Sequence, residues 1–150
     1  PHFLYNTFTT VSSLCYLEGA VQAQEVVDRF ADYFRQNLDS LGRDQYISFE
    51  KELEHIKTYL WIEKIRFEDD LNMVYKINVT GFRLPSLSVQ PLVENAVKHG
   101  ICKRIEGGSI VIRSYKNGRD FIVEVEDDGV GFDFSWIEND GKRRDKRTFI

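Results

Sequence analysis

Gln90-Pro91-Leu92-Val93-Glu94-Asn95-Ala96-Val97-Lys98-His99-Gly100 is the stretch that decides how this chain is read. Val89, Leu92, Val93, Ala96 and Val97 recur at helical spacing, which predicts a helix with one apolar stripe against a core. Glu94, Asn95, Lys98 and His99 fall on the remaining arc, with Glu94 and Lys98, and Asn95 and His99, four residues apart and therefore neighbours. A helix that only fills a core has little use for a carboxylate, an amide and two potential cations in one short run. That set suits a metal ion and a string of phosphates.

Upstream of this stretch the pattern is helical. Leu4, Phe8, Val11 and Cys15 form one apolar stripe, and Val27, Phe30, Phe34 and Leu38 form a second. The spacing predicts helices over residues 2–18 and 22–41, with Gly19 between them and Gly42 at the end. Two such helices joined by a short link make an antiparallel hairpin. Its narrow, heptad-like stripe fits pairing with a second copy into a four-helix bundle. His2, Asn6, Thr9 and Ser13 form a polar stripe about 200° around the first helix from the apolar one, so His2 is expected to point away from the hairpin core. Ser48 is a suitable N-cap for a third helix running to about Arg66, with Phe49, Leu53, Ile56, Leu60 and Phe67 as its buried face and His55 at the surface.

After Asp69-Asp70 the period changes to two. Leu71, Met73, Tyr75, Ile77 and Val79 mark a half-buried strand, and Gly81 to Pro85 reads as a turn. A second strand is expected over 109–116 and a third over 121–126, joined by a hairpin at Asn117-Gly118. The resulting fold class is α+β: a helical hairpin over residues 1–44, then a helix-and-strand sandwich with mostly antiparallel strands over 45–150.

A hydrophobic share of 42% and a charged share of 29% describe a globular protein with a core. The net charge of −4 gives no general attraction to nucleic acid, so no nucleic-acid partner is expected. Cys15 and Cys102 have no metal-ligand spacing and read as two reduced thiols in a cytoplasmic protein. No apolar run approaches the roughly 20 residues needed to span a bilayer.

Asp127-Asp128-Gly129-Val130-Gly131 follows the third strand. A carboxylate held at a strand end can accept a bond from an exocyclic amine, and glycines let backbone approach a flat ring. Alone, an Asp-Gly loop is ordinary turn material. In company it is more telling. Glu94-Asn95-Ala96-Val97-Lys98-His99-Gly100 resembles the N box of the GHKL ATPase superfamily, and Asp127 to Gly131 resembles its G1 box. Pro1-His2-Phe3-Leu4-Tyr5-Asn6 is similar to the phosphoacceptor signature of LytS-type sensor histidine kinases, and residues 49–67 also match that family.

The resemblance implies an ATP-binding, Mg²⁺-dependent histidine kinase that passes a phosphoryl group to an aspartate of a response regulator receiver domain. It implies His2 as phosphoacceptor with Asn6 beside it, and Glu94 in a supporting catalytic role. Asn95 is then the Mg²⁺ ligand, Lys98 and His99 lie near the phosphates, Asp127 binds the adenine amine, and Gly129 and Gly131 shape the base pocket. It further implies a homodimer through the hairpin and a parent protein anchored in the cell membrane by upstream sensor segments. The family's second glycine motif, Gly-Leu-x-Asn-Val, is not reached before Thr148-Phe149-Ile150, so the sandwich is expected to be C-terminally truncated. The competing expectations are a non-catalytic dimeric scaffold or nucleotide sensor, and another ATPase of the same superfamily.

Overall fold

A computed structural model describes residues 2–42, 46–67, 70–100 and 107–129. The elements in order are α1 (His2–Leu17), α2 (Val21–Gly42), β1 (Tyr46–Ser48), α3 (Phe49–Phe67), β2 (Leu71–Ile77), β3 (Arg83–Pro85), α4 (Gln90–Asn95) with a π-helical turn (Ala96–Gly100), β4 (Gly108–Asn117) and β5 (Asp120–Asp127). The architecture is α+β, with the helices leading. The described residues form two compact units. One takes in the chain as far as Arg66 together with Arg83–Leu87; the other takes in Phe67–Phe82 and the described residues from Ser88 on.

In the first unit α1 and α2 meet through the two predicted stripes. The Phe8 ring stands edge-on to Phe30 at 5.4 Å and to Phe34 at 6.1 Å, geometries that aromatic pairs favour. No residue of α1 is buried, however, and Leu4 and Val11 remain 40% and 39% exposed. The helical hairpin therefore does not finish its own core. From α2, Arg29 stacks on the Trp61 ring of α3 at 4.2 Å, and Tyr33 faces Tyr59 at 6.2 Å. Ser48 caps α3 as expected, accepting the Lys51 N–H at 3.3 Å. Gly81 to Pro85 is more than a turn, because β3 pairs antiparallel with β1. Each strand has three residues, too few for alternation to show in the sequence.

His55 corrects the sequence reading. It is buried, 2% exposed, as is Glu52 one turn earlier. Both lie on the face that carries Phe49, Leu53, Ile56 and Leu60, because positions three apart share a helical face. The flanking acidic residues suggested water; the 3.6-residue period places the ring inside.

The second unit is a three-stranded sheet ordered β2-β4-β5, with α4 and the π turn in the β2-to-β4 connection. β2 runs parallel to β4, and β4 is antiparallel to β5. Two of the three strand pairings are thus antiparallel. Leu71, Ile110 and Ile112 from the sheet, and Val89, Val93, Ala96 and Val97 from the crossover, are its buried apolar side chains. Each large one contributes about 1.5–3 kcal/mol by leaving water. The turn between β4 and β5 is centred on Gly118-Arg119, one residue later than the sequence pattern suggested, because Asn117 and Asp120 still pair. Gly118 takes φ +62° at the first central position, where a type II′ turn requires glycine.

Gly107 has φ +69°, and a Cβ there would lie 2.2 Å from the Asp70 carbonyl oxygen. Gly107→Ala is expected to destabilise the protein by about 2 kcal/mol or more, from left-handed strain and the backbone clash together, read as a lower urea midpoint. For His55, burial first and the Lys51 cation second hold the ring's pKa below its usual value, with Glu54 opposing. The unfolded chain then binds more protons than the folded one near pH 6, so stability falls as pH drops through 6.5. His55→Gln is expected to lose less stability than the wild type between pH 7.5 and 5.5 in urea titrations; parallel losses would contradict the assignment.

Candidate functional site

The polar run that opened the chain's reading is only partly an α-helix. α4 ends after six residues, and the backbone continues as a π turn over Ala96–Gly100. The Ala96 N–H bridges the change, facing the carbonyls of both Leu92 and Val93. Pro91 sits in the first turn, where a missing N–H costs nothing. A π turn repeats its hydrogen bonds five residues apart instead of four, so the neighbours counted on a 3.6-residue wheel are displaced here. The apolar stripe survives: Val93, Ala96 and Val97 are buried. Asn95 and Lys98 are exposed and Glu94 is half-buried. The side chain of His99 lies outside the described residues.

The π turn packs beside β5 and β4. β5 ends on Asp127, whose Oδ1 accepts the Gly129 N–H at 2.9 Å. The Glu94–Lys98 run and the Asp127–Gly129 loop thus belong to one unit and to adjoining elements. Gly131 lies outside the described residues, as does the basic run from Lys142 to Arg147. His2 and Asn6 are elsewhere, in the first unit, both exposed on α1 in line with exposed Thr9 and Ser13. The expected polar stripe is therefore a solvent-facing one.

Two contributors went unnoticed in the sequence. Gln90, only 4% exposed, donates its amide N–H to Glu94 Oε1 at 2.7 Å and so fixes the carboxylate from one turn below. Asp128 accepts the Ser109 N–H on Oδ1 at 2.7 Å. The first had a legible signal, an amide four residues before an acid; the second depends on pairing across the sheet and had none.

The donor set is chemically coherent. Asn95 and Glu94 offer the oxygen atoms a hard divalent cation prefers. Lys98 presents a cation to solvent, and Asp127 keeps a half-buried carboxylate beside a glycine backbone. Among the described residues there is no cluster of three or more His, Cys, Asp or Glu side chains that would hold a metal alone.

Comparison with known proteins finds similarity to sensor histidine kinases. The histidine kinase family model matches residues 1–71. The Sensor protein LytS of Staphylococcus saprophyticus is 33% identical over 144 residues, 95% of this chain and 24% of that protein. Over most of its length the chain is similar to LytS-type sensor histidine kinases. The Sensor histidine kinase BtsS of Escherichia coli K12 is 33% identical over 129 residues, 85% of this chain and 22% of its own length. YwpD of Bacillus subtilis is 41% identical over 133 residues, 87% of this chain and 48% of that protein. The chain thus spans between about a fifth and a half of the length of these relatives.

Replacing Gln90 by Leu takes away the amide that donates to Glu94 Oε1, one donor fewer for a half-buried carboxylate. A loss of about 1–3 kcal/mol is expected in urea unfolding. Gln90→Glu, which sets two carboxylates against each other, is expected to cost at least as much at pH 8 and less at pH 4.

Proposed function

We propose that this chain is the kinase core of a two-component sensor, in which His2 attacks the γ-phosphorus of ATP and later gives the phosphoryl group to a response-regulator aspartate. In the first step an imidazole nitrogen–phosphorus bond forms, the bond from the γ-phosphorus to the bridging oxygen breaks, and ADP leaves. The observation that carries this reading is the pairing of two exposed chemistries in one chain. A solvent-facing histidine stripe lies on the hairpin, and an amide, a lysine and a strand-end carboxylate lie on adjoining elements of the sheet unit.

The residues divide the work by chemistry. Asn95, with Glu94 in support, would hold Mg²⁺; bound there, the ion would neutralise charge on the ATP phosphates. Lys98 and His99 would lie near the same phosphates, as the family resemblance implies. Asp127 would accept the adenine amine, and Gly129 and Gly131 would let the backbone close on the ring. Most of the acceleration would then come from positioning, as expected for phosphoryl transfer. The incompletely covered apolar stripe of α1, with Leu4, Val11 and Leu14 exposed, supports a homodimer in which two hairpins share one core. Among the described residues no helix is long and apolar enough to cross a membrane; anchoring of the parent protein would come from segments outside this chain.

In the full-length protein with γ-labelled ATP and Mg²⁺, acid-labile label is expected on wild type and none on His2→Gln. Asn95→Ala is expected to lose label by about 100-fold or more. Label persisting on His2→Gln would remove His2 from the reaction. Phosphate release without protein labelling would instead favour an ATPase, and failure to bind Mg-ATP would favour a scaffold.

A further inference from the structure

The β4–β5 ladder does not stop where the strands do. Its last regular pair is Ile110 with Asp127. By the same register Ser109 stands opposite Asp128, and the Asp128 N–H donates to the Ser109 carbonyl at 3.3 Å. In an antiparallel hydrogen-bonded pair the two residues exchange both bonds. Here the reciprocal bond is taken by a side chain: the Ser109 N–H donates to Asp128 Oδ1 at 2.7 Å. From the other flank the Asn72 amide of β2 donates to Ser109 Oγ at 3.3 Å. Ser109 is therefore held by the two strands beside it, and the loop is tied to it.

We propose that Asp128 is a positioning residue of the nucleotide pocket, its carboxylate standing in for its own backbone carbonyl so that the ladder gains one pair while the backbone turns away. The substitution has a consequence for the residues on either side. A backbone carbonyl committed to Ser109 would keep Asp128 extended and carry the chain straight on. With the carboxylate in that place, the main chain is released at the residue after Asp127. Gly129 can then fold back to give its N–H to Asp127 Oδ1 at 2.9 Å. The neighbouring aspartates thus act in opposite directions. Asp128 grips the sheet behind, and Asp127 holds the loop ahead and keeps its carboxylate in place for the base. Residue length matters: asparagine keeps an acceptor oxygen at the same reach, glutamate overshoots by one methylene, and alanine has none.

This inference rests on the reading of Asp127 as the adenine-binding residue, and the test separates the two. In the full-length protein, Mg-ATP affinity, turnover at saturating ATP, melting temperature and the exchange rate of the Ser109 amide are measured for Asp128→Ala, Asp128→Asn and Asp128→Glu. Asp128→Ala is expected to bind Mg-ATP about tenfold more weakly, because ordering the released loop then opposes binding. Turnover at saturation is expected to change less than affinity, the melting temperature to fall by a few degrees at most, the scale of one lost bond, and the Ser109 amide to exchange faster. Asp128→Asn is expected to stay within about threefold of wild type, and Asp128→Glu to resemble alanine. Wild-type affinity in Asp128→Ala, or equal weakening in alanine and asparagine, would overturn the proposal. Should Asp127→Ala bind Mg-ATP normally, the pocket assignment fails. The Ser109 amide then still decides the anchor: unchanged exchange in Asp128→Ala overturns it, and faster exchange upholds it.

Discussion

The sheet unit depends on one packing arrangement: the buried side of the α4–π segment, Val93, Ala96 and Val97, lying beside β4 and β5. Burial of those three fixes which way Asn95 and Lys98 point, because a short helical segment with one face committed to the core has only the other to offer. The wider π turn alters where along that free face each group emerges. The same strands end in the Asp127–Gly129 loop. One core thus holds two sets of polar groups that the sequence separates by some thirty residues, and neither set needs a contact with the other to be placed.

The sheet unit and the α1–α2 hairpin differ in how completely they are packed. The sheet unit encloses side chains such as Val93 and Leu71 entirely. The hairpin does not: its aromatic cluster of Phe8, Phe30 and Phe34 is well formed, yet nothing on α1 is buried. An amphipathic hairpin that leaves Leu4, Val11 and Leu14 partly in water is under-packed alone. That property belongs with the proposed dimer, in which the missing half of the core comes from the second copy. It also leaves the polar line of His2, Asn6, Thr9 and Ser13 at the surface, where an acceptor histidine needs to be.

Much of this was legible in the sequence. Leu4-Phe8-Val11-Cys15 gave the hairpin face and Ser48 the cap of α3, since both signals are local and repeat at the helical period. The β2 alternation was equally clear. What the sequence concealed was non-local or irregular. The β1–β3 pair is too short to show a period. The π turn is invisible to any count that assumes a constant turn length. The pairing of Ser109 with the Asp128 carboxylate exists only once β4 and β5 are in register. His55 was concealed for a different reason: its neighbours Glu52, Glu54 and Lys57 suggested solvent, while the burial of Ile56 and Leu60 on the same face settled its position.

The π turn and the strand-end loop are proposed to form two sides of one Mg-ATP pocket. Hydrogen exchange of the full-length protein, measured with and without Mg-ATP, tests it directly. Slower exchange is expected at residues 95–98 and 127–129, abolished when Mg²⁺ is withheld for the first segment and by Asp127→Ala for the second. Unchanged exchange in both segments under saturating Mg-ATP, or protection confined to α1 and α2, would contradict it.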